Sequence, residues 1–305
     1  MAASLPWTFG AVIPRLPSGS IRGWDLRIRP LLPNIRLFTS IQEAQQNDSW
    51  DWFLAHNVND LMDAREISLP KVFLVHGTLS GRILQDKSSI DRASYVQKLE
   101  ILLTANNARV AYISDLKKKD WGIPGTVVRS AVNTSEYGGY RGDIRGILQV
   151  CNHLRERGAI LGWDAHRTVC KDLSCLVLGA NKNLSSSRTT EGWEDLKEQL
   201  RCYRLYLFTA AYPYEDGYNL ALLEAMATGM PIASLEHPTS PIRNGVEGVV
   251  ASTPEDLRRR VLDLLDAPDE AVRMGKNARK RVEELFPLAG FQRAWQSLAV
   301  ELLQK

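Results

Sequence analysis

The second half of the chain alternates short apolar runs with stretches of helical periodicity, and this alternation limits the folds that it can adopt. From about Gly146 the apolar runs are ILQVC, SCLVLG, LYLFT and PIAS. Helical stretches lie between and after these runs, near 164–171, 191–202, 219–228, 254–265, 270–285 and 288–304. Because parallel strands need a crossover of this length between them, the rhythm predicts a doubly wound parallel sheet covered by helices.

The same pattern indicates where the chain divides. Its first half shows a clear amphipathic helix only over Ala93–Thr104, among the strand-like runs IRLFT, WFLA, KVFLV and RVAYI. The stretch 137–145, YGGYRGDIR, is rich in glycine and charge and is the best linker. We therefore predict one α/β domain over 1–140 and a second over 141–287, with a last helix at 288–305 packing back on the first. Ligands of paired open sheets bind at the carboxyl ends of strands, so a cleft between the domains is the expected site.

Composition excludes several classes of protein. With 305 residues, 44% hydrophobic and 24% charged residues, the chain has the make-up of a globular protein, and a net charge of +3 is too small to favour nucleic acid as a partner. The N-terminus has no export pattern, and the sequence has no run of 18 apolar residues, so we expect a cytoplasmic, non-spanning protein. The four cysteines match no metal or redox spacing and are predicted to be buried, reduced thiols.

The first 36 residues are basic and aromatic. They hold one acid, Asp25, together with Arg15, Arg22, Arg27, Arg29, Arg36, Trp7, Phe9 and Trp24. Such a mixture suits an anionic membrane surface or an acidic acceptor, which would place the protein peripherally at the inner membrane face. The alternative is a solvated segment whose aromatic side chains pack on the core.

The segment 215–229, EDGYNLALLEAMATG, is the most specific in the chain. Glu224 lies on an otherwise apolar helix, where a carboxylate needs a partner to offset its desolvation. Asn219 is a good N-cap and Gly229 a good stop, which predicts a helix of about ten residues. The N-terminus of this helix, beside Asp216, is a place that attracts phosphate.

Beyond its chemistry, this segment has a family resemblance. DGYNLALLEAMATGMPIAS resembles the acidic-x7-Glu signature of retaining, nucleotide-sugar-dependent glycosyltransferases of the GT-B fold, the glycosyltransferase group 1 or family 4-like enzymes. SDLKKKDWGIPGTVVRSAVNTSEY and PIRNGVEGVVASTPEDLRRRVLDLL are similar to family segments before and after it, so that the resemblance covers most of 72–305. It implies two Rossmann-like doubly wound domains facing across a cleft, the first of them shortened here.

The resemblance implies roles for the residues of the signature. Glu224 would hold the ribose hydroxyls of the nucleotide, and the first acidic residue would contact the donor sugar. Most family members have glutamate at that first position, whereas this chain has Asp216 with Glu215 before it, so either carboxylate could act. Gly217, Tyr218, Asn219 and Leu220 would form the stretch that binds the nucleotide. The diphosphate would face the backbone N–H groups of the last three.

The resemblance also implies cationic residues that neutralise the charge of the leaving diphosphate. In the family an Arg and a Lys follow the first strand of the second domain, and NHLRERG occupies that place. Arg157 matches the lysine position, while either His153 or Arg155 matches the arginine position. With no D-x-D motif to hold a divalent ion, cationic side chains would replace a metal. The plainer interpretation of this stretch is a solvated loop.

Histidines mark two further places. His76 ends the strand KVFLV and precedes GTLSG, and it resembles a family histidine near the donor sugar; His56, at the end of another strand, is a weaker alternative. His237 and Ser240 follow the fourth strand of the second domain, where they would line the donor pocket or simply form a turn.

The sequence thus predicts a metal-independent, retaining transferase that moves a sugar from a UDP- or GDP-sugar to an acceptor hydroxyl and needs no cofactor. The acceptor, whether glycan, lipid-linked or small molecule, is not defined. Two alternatives are a degenerate GT-B protein that binds a nucleotide sugar without turnover and a nucleotide-sugar epimerase. An NAD enzyme is disfavoured, because VLGAN lacks the glycine spacing of a dinucleotide site.

Overall fold

The computed structural model describes residues 5–13, 31–86 and 90–304. The strands within these ranges are β1 Phe9–Val12, β2 Ile35–Phe38, β3 Phe53–Ala55, β4 Lys71–Val75, β5 Ala108–Tyr112, β6 Thr126–Val127, β7 Ile144–Val150, β8 Cys175–Leu178, β9 Ser187–Arg188, β10 Tyr203–Phe208, β11 Ile232–Leu235 and β12 Gly248–Ala251. The α-helices are α1 Ile41–Asn47, α2 Val58–Asp63, α3 Leu79–Asp86, α4 Arg92–Ala105, α5 Asp115–Trp121, α6 Gly158–Leu161, α7 Trp163–Cys170, α8 Trp193–Cys202, α9 Leu220–Thr228, α10 Pro254–Leu265, α11 Pro268–Leu285 and α12 Leu288–Leu303.

The chain forms two compact units. Unit 1 consists of Met1–His76, Ser88–Arg129 and Ala289–Lys305, and unit 2 of Gly77–Lys87 and Ser130–Leu288. The sequence division at 140/141 differs from this arrangement in two respects. The crossover falls between Arg129 and Ser130, and the short segment Gly77–Lys87, which follows β4, groups with unit 2.

Unit 1 is built on two parallel sheets, a pair β1-β2 and a four-stranded sheet in the order β3-β4-β5-β6. Its apolar cluster includes Val72, Leu74 and Trp295, the last only 1% exposed on the C-terminal helix α12 and stacked on Trp52 at 6.0 Å. Trp7 and Phe9 pack on this same cluster. The basic residues between 14 and 30, on which the predicted membrane contact depends, lie outside the described residues.

Unit 2 contains the predicted doubly wound sheet. Its six strands are all parallel and lie in the order β12-β11-β10-β7-β8-β9. Apolar side chains pack on both faces, as the continuous apolar runs require of a parallel sheet covered by helices. The α/β fold class predicted from the strand–helix rhythm is confirmed.

Close packing of α11 holds α9 in place. A Cβ on Gly275 would lie 1.8 Å from the carbonyl oxygen of Gly229, so only glycine allows the two backbones to approach this closely. Arg279 of α11 donates hydrogen bonds to the carbonyls of Ala227 and, at 2.9 Å, Thr134. Because the last carbonyls of a helix lack intrahelical partners, this arginine caps the C-terminal end of α9.

The structure also bears on two predictions about membrane-spanning helices and cysteines. Among the described residues, the helices are all too short or too polar to cross a bilayer. The four cysteines are free thiols, but each is partly rather than completely buried, because all of them lie near the ends of helices or strands.

Candidate functional site

The sheet of unit 2 reverses its strand order between β7 and β10. β7 comes first in the unit, β8 and β9 extend the sheet on one side of it, and β10 to β12 extend it on the other. Connections leave the two central strands in opposite directions, which opens a crevice at their carboxyl ends, and ligands of open α/β sheets bind there. The loops that follow β7 and β10 carry the predicted cationic and acidic residues.

Helix α9 brings the buried carboxylate of Glu224 to this edge. Its N-cap is Asn219, whose side chain accepts a hydrogen bond from Leu222 N–H at 2.8 Å, and it ends at Gly229 in the left-handed region with φ 94°. Glu224 is 7% exposed, and its Oε1 accepts a hydrogen bond of 2.9 Å from the hydroxyl of Tyr137. This tyrosine, 87 residues earlier in the chain, therefore orients the carboxylate.

The acidic loop before α9 is held by the turn that follows β11. Thr239 N–H donates to His237 Nδ1 at 3.2 Å, so the other ring nitrogen, Nε2, carries the proton that His237 donates to the Glu215 carbonyl at 3.0 Å. Gly217 N–H donates to Thr239 Oγ1 at 2.8 Å. Within the loop, the Glu215 carboxylate accepts the N–H of Asp216, which is itself 2% exposed. His237 thus acts on the acidic loop, and Ser240 lies in the same turn.

We expect Gly217→Ala to lower the free energy of unfolding by about 1–3 kcal/mol. The added Cβ would lie 2.6 Å from Ser240 N and 2.7 Å from His237 Nδ1, and the backbone of a packed turn cannot easily yield. Urea unfolding measures the effect. Gly77→Ala is the matched control, because no heavy atom lies within 4 Å of its added Cβ, and it should change stability by less than about 0.5 kcal/mol. Equal stability of both variants would contradict the packing argument.

The loop after β7 distinguishes between the candidate cations. His153 has a left-handed backbone with φ 58° and an exposed side chain. Arg155 donates to the Asn183 carbonyl at 3.1 Å and lies 5.4 Å over the ring of Trp163. Arg157 instead has a buried Nε that, among the described residues, has no hydrogen-bond partner. Since an unmet buried donor costs about 1–3 kcal/mol, this nitrogen favours an anionic ligand.

Packing brings the loops of Arg157 and Asp216 together. Ala211 N–H donates to the Ile160 carbonyl at 2.8 Å, and the side chain of Tyr214 packs on the cluster that contains Leu154 and Ile160. The two loops therefore meet on the carboxyl side of β7 and β10. The structure places Arg157 and the acidic loop at one edge of the sheet.

A polar network that the sequence did not reveal lies beneath these loops. Thr209 donates its hydroxyl to the Leu161 carbonyl at 2.6 Å and accepts from Gln149 Nε2 at 3.2 Å. Gln149 Oε1 then accepts from His166 Nδ1 at 2.6 Å, which fixes the proton of His166 on Nδ1. His166 is 4% exposed, and burial lowers its pKa to about 4.

This network predicts acid sensitivity. A histidine with a folded-state pKa near 4 and an ordinary pKa of 6.5 binds a proton more readily when unfolded, so stability falls as pH falls through that window. Between pH 7 and 5 we expect His166 to account for a loss of about 2 kcal/mol, measured by urea unfolding at both pH values. His166→Gln should be less stable at pH 7 but lose about 2 kcal/mol less than wild type between the two values. Parallel losses in the two proteins would rule out His166 as the cause.

Two thiols lie next to His166. The sulfur atoms of Cys170 and Cys175 are 3.0 Å apart, and with a ring nitrogen of His166 they form a group whose atoms all lie within 4.8 Å. His166 Nδ1 already donates to Gln149, so that nitrogen has no lone pair to offer a metal ion in this tautomer. Cys175 begins β8, so the thiols lie toward the amino ends of the strands, away from the edge with Arg157 and Asp216.

Unit 1 places its two predicted histidines side by side. His56 follows β3 and His76 follows β4, and these neighbouring strands are parallel, so both side chains emerge at one edge. His56 Nδ1 lies 2.9 Å from His76 Nε2, with the rings inclined by only 22°. Both rings reach solvent, but the protein crowds them: burial, the neighbouring His56 and Lys117 lower the pKa of His76 to about 4. His76 is therefore neutral at pH 7, and burial also holds the pKa of His56 below its ordinary value of 6.5.

Two units built on parallel sheets, the second with a switch point in its strand order, form the architecture of the GT-B class of glycosyltransferases, and this chain has that fold. Residues 160–281 match the family described as Glycosyl transferases group 1. The matched range includes the acidic loop and α9. The predicted resemblance to group 1 glycosyltransferases is thereby confirmed over these residues, whereas the acidic-x7-Glu signature, retention and the roles of individual residues stay predictions.

Individual proteins show how far the similarity reaches. A stretch of 91 residues is 37% identical to the MMP alpha-(1->4)-mannosyltransferase of Mycolicibacterium hassiacum, covering 28% of this chain and 20% of that protein. Sucrose-phosphate synthase of Thermosynechococcus elongatus matches 99% of this chain and 90% of its own, with a TM-score of 0.71 and 12% identity. HepE of Anabaena, solved with UDP and glucose, matches 87% of this chain and 86% of its own, with a TM-score of 0.65 and 12% identity.

This chain matches only part of the length of some of these proteins. It spans a fifth of the length of the mannosyltransferase and about half of TarM of S. aureus, which it matches over 79% of this chain and 52% of that one, with a TM-score of 0.59 and 14% identity. At 12–14% identity the structural matches establish the fold.

Proposed function

We propose that the protein is a retaining glycosyltransferase that moves a sugar from a nucleotide diphosphate sugar to an acceptor hydroxyl without a metal ion. The observation that carries this proposal is the set of groups at the switch point of unit 2. A buried arginine nitrogen without a hydrogen-bond partner among the described residues lies in the loop after β7, and a helix N-terminus and a buried carboxylate lie on α9, which follows β10. Cation, backbone N–H groups and carboxylate match the leaving diphosphate and the ribose of such a donor.

Arg157 would stabilise the diphosphate as it leaves. Its buried Nε gains a partner when an anion binds, and the guanidinium charge offsets the negative charge that develops on the leaving group. This role would replace that of a divalent cation. His153, exposed in the same loop with Arg155 held elsewhere, is the proposed second contact.

Helix α9 would bind the rest of the nucleotide. The first N–H groups of an α-helix lack intrahelical partners, and Asn219 caps that of Leu222. The backbone N–H groups of Tyr218, Asn219 and Leu220, at the entry to α9, are the proposed contacts of the phosphate oxygens. One turn further on, Glu224 would accept the ribose hydroxyls. The hydroxyl of Tyr137 restrains one carboxylate oxygen and so fixes the rotamer before the nucleotide arrives.

Between the two acidic residues, we assign the sugar contact to Asp216. The carboxylate of Glu215 accepts a hydrogen bond from the N–H of Asp216 within the loop, and the carbonyl of Glu215 accepts one from His237. Glu215 would therefore shape the loop while Asp216 meets the sugar. His76, which resembles the family histidine near the donor sugar, is the third residue that we propose for catalysis.

Related proteins support this choice of donor. HepE of Anabaena was solved with UDP-glucose, and TarM of S. aureus with UDP and alpha-GlcNAc-glycerol. The relative from Mycolicibacterium hassiacum is a mannosyltransferase. We therefore take UDP-sugars as the first donors to test, and GDP-sugars as the second.

The test is an incubation of the protein with UDP- and GDP-sugars, with and without a chelator, followed by donor hydrolysis, thermal shift and NMR of the anomeric product. We expect donor cleavage that resists the chelator and yields a product of unchanged anomeric configuration. Loss of cleavage in the chelator would overturn metal independence, and an inverted product would overturn retention.

The same incubation distinguishes the two alternatives. Binding of the donor without turnover, even with candidate acceptors present, would identify a degenerate GT-B protein. Interconversion of the donor sugars would identify an epimerase. A protein with no thermal shift on any UDP- or GDP-nucleotide would have no donor site of the proposed kind.

A further inference from the structure

The segment that follows β4 in unit 1 belongs to unit 2. Gly77–Lys87 lies between β4 and α4 in the sequence, yet its contacts are with the residues after Ser130. It contains the GTLSG motif and α3, to which the proposed transfer assigns no role. Two of its residues, Thr78 and Gly81, contact Tyr214, which directly precedes the acidic residues Glu215 and Asp216.

Thr78 makes this contact through a buried hydroxyl, and its hydrogen bonds show which group donates and which accepts. Thr78 is 1% exposed, and its Oγ1 accepts a hydrogen bond of 2.9 Å from Gly81 N–H. A hydroxyl carries one proton, which is then donated to the carbonyl oxygen of Tyr214 at 2.6 Å. The first turn of α3 is thereby joined to a backbone group two residues before Asp216.

Gly81 also allows the Tyr214 carbonyl to approach this closely. A Cβ added there would lie 2.5 Å from the Tyr214 oxygen and 2.8 Å from Thr78 Oγ1. The carbonyl therefore fits between a hydroxyl and a bare Cα, and no larger residue than glycine allows the approach. Two independent features of GTLSG, its threonine and its second glycine, fit this single oxygen atom.

Tyr214 connects both halves of the proposed site. Its N–H donates to the Ala211 carbonyl at 2.9 Å, and its side chain packs with Leu154 and Ile160, on either side of Arg157 in the chain. In the other direction the chain reaches Asp216 within two residues. A displacement of the Tyr214 carbonyl would therefore move Asp216 relative to Arg157.

We propose that Thr78 is a positioning residue for sugar transfer, whose hydroxyl holds the Tyr214 carbonyl and thereby sets the place of Asp216 beside Arg157. This inference rests on the proposed function. Thr78 does not touch the donor itself. In the sequence, Thr78 follows His76 by two residues and lies at the start of the segment that groups with unit 2.

The test compares Thr78→Val, which keeps the shape but loses the hydroxyl, with Thr78→Ser, which keeps the hydroxyl. A misplacement of about 1 Å in a reacting group lowers rates by roughly a hundredfold, so we expect kcat for donor cleavage to fall about ten- to hundredfold in Thr78→Val. The Kd for UDP should stay within about threefold, because the hydroxyl of Thr78 holds the Tyr214 carbonyl, which lies outside α9. Thr78→Ser should restore at least half of the wild-type kcat.

Hydrogen–deuterium exchange gives a readout that does not depend on activity. Backbone amides of 212–218 should exchange faster in Thr78→Val than in wild type and Thr78→Ser, while those of α11 stay unchanged. Wild-type protein that cleaves no donor would contradict the proposed function, and the exchange data would still decide whether Thr78 holds the loop. Unchanged exchange, or unchanged kcat in Thr78→Val where wild type is active, would overturn the role of Thr78.

Discussion

Replacing Glu224 by glutamine is expected to weaken the binding of UDP roughly ten- to hundredfold, the largest effect on nucleotide affinity that the site predicts. Hydrogen bonds to a charged acceptor contribute about 1.5–3 kcal/mol, against about 0.5–1.5 kcal/mol for neutral pairs. In Glu224→Gln, the hydrogen bonds from both ribose hydroxyls would be weakened by that difference in free energy. Isothermal titration with UDP measures the loss directly, without requiring an acceptor.

Two further variants separate nucleotide binding from folding. Glu247 is also buried, but it pairs with Arg243 in the turn before β12. Glu247→Gln should therefore lower stability and leave the Kd for UDP unchanged. Tyr137→Phe removes the hydroxyl that orients Glu224 and should weaken UDP binding several-fold. Glu224→Gln with wild-type affinity would show that this carboxylate does not hold the ribose.

Local signals explain why so much of unit 2 could be predicted. Asn219 and Gly229 mark the ends of α9 because a side-chain oxygen must cap the first N–H groups and a left-handed residue must end the helix, and both act within four residues. The central strands could be predicted equally well, because parallel strands covered by helices on both faces are continuously apolar. The switch point follows from strand order, however, and no local pattern encodes strand order.

The contacts that complete the site are distant in sequence, and for that reason the sequence did not reveal them. Tyr137 meets Glu224 across 87 residues, and Thr78 meets Tyr214 across 136. Each is an ordinary residue type at an ordinary position, and only tertiary packing gives it a partner. In the sequence, GTLSG stood out only as the stretch after His76, and the approach of the Tyr214 carbonyl explains why its second glycine is needed.

Short elements were missed for a different reason. α2, with six residues, is too brief for periodicity to distinguish it from a loop, and β12 directly follows the polar, glycine-containing stretch RNGVE, which has the composition of a turn. The grouping of Gly77–Lys87 with unit 2 was also missed, because a domain boundary was sought as a linker of special composition. A segment that leaves one unit and returns after about ten residues has no such composition.

Replacing Arg157 by glutamine is expected to lower kcat for donor cleavage roughly a hundred- to thousandfold, the usual loss when a group that stabilises transition-state charge is removed. The structure gives the reason for choosing this cation over its neighbours. Arg155 already donates to the Asn183 carbonyl and lies on Trp163, whereas Arg157 has a buried Nε that, in the part of the chain described, lacks an acceptor. A charge that stabilises the transition state more than the ground state changes kcat more than the Kd of the donor.

The control is Arg155→Gln, which changes the same side-chain type two residues away and should keep kcat within about threefold of wild type. Arg157→Lys keeps the charge but has a different donor geometry, so its kcat should lie between those of wild type and Arg157→Gln. Single-turnover rates with a UDP- or GDP-sugar, at saturating donor, measure all three. If Arg155→Gln lost activity while Arg157→Gln kept it, the diphosphate would bind on the outer side of the loop, over Trp163. In that case the unmet donor of Arg157 would belong to the packing of the loop and have no part in the chemistry.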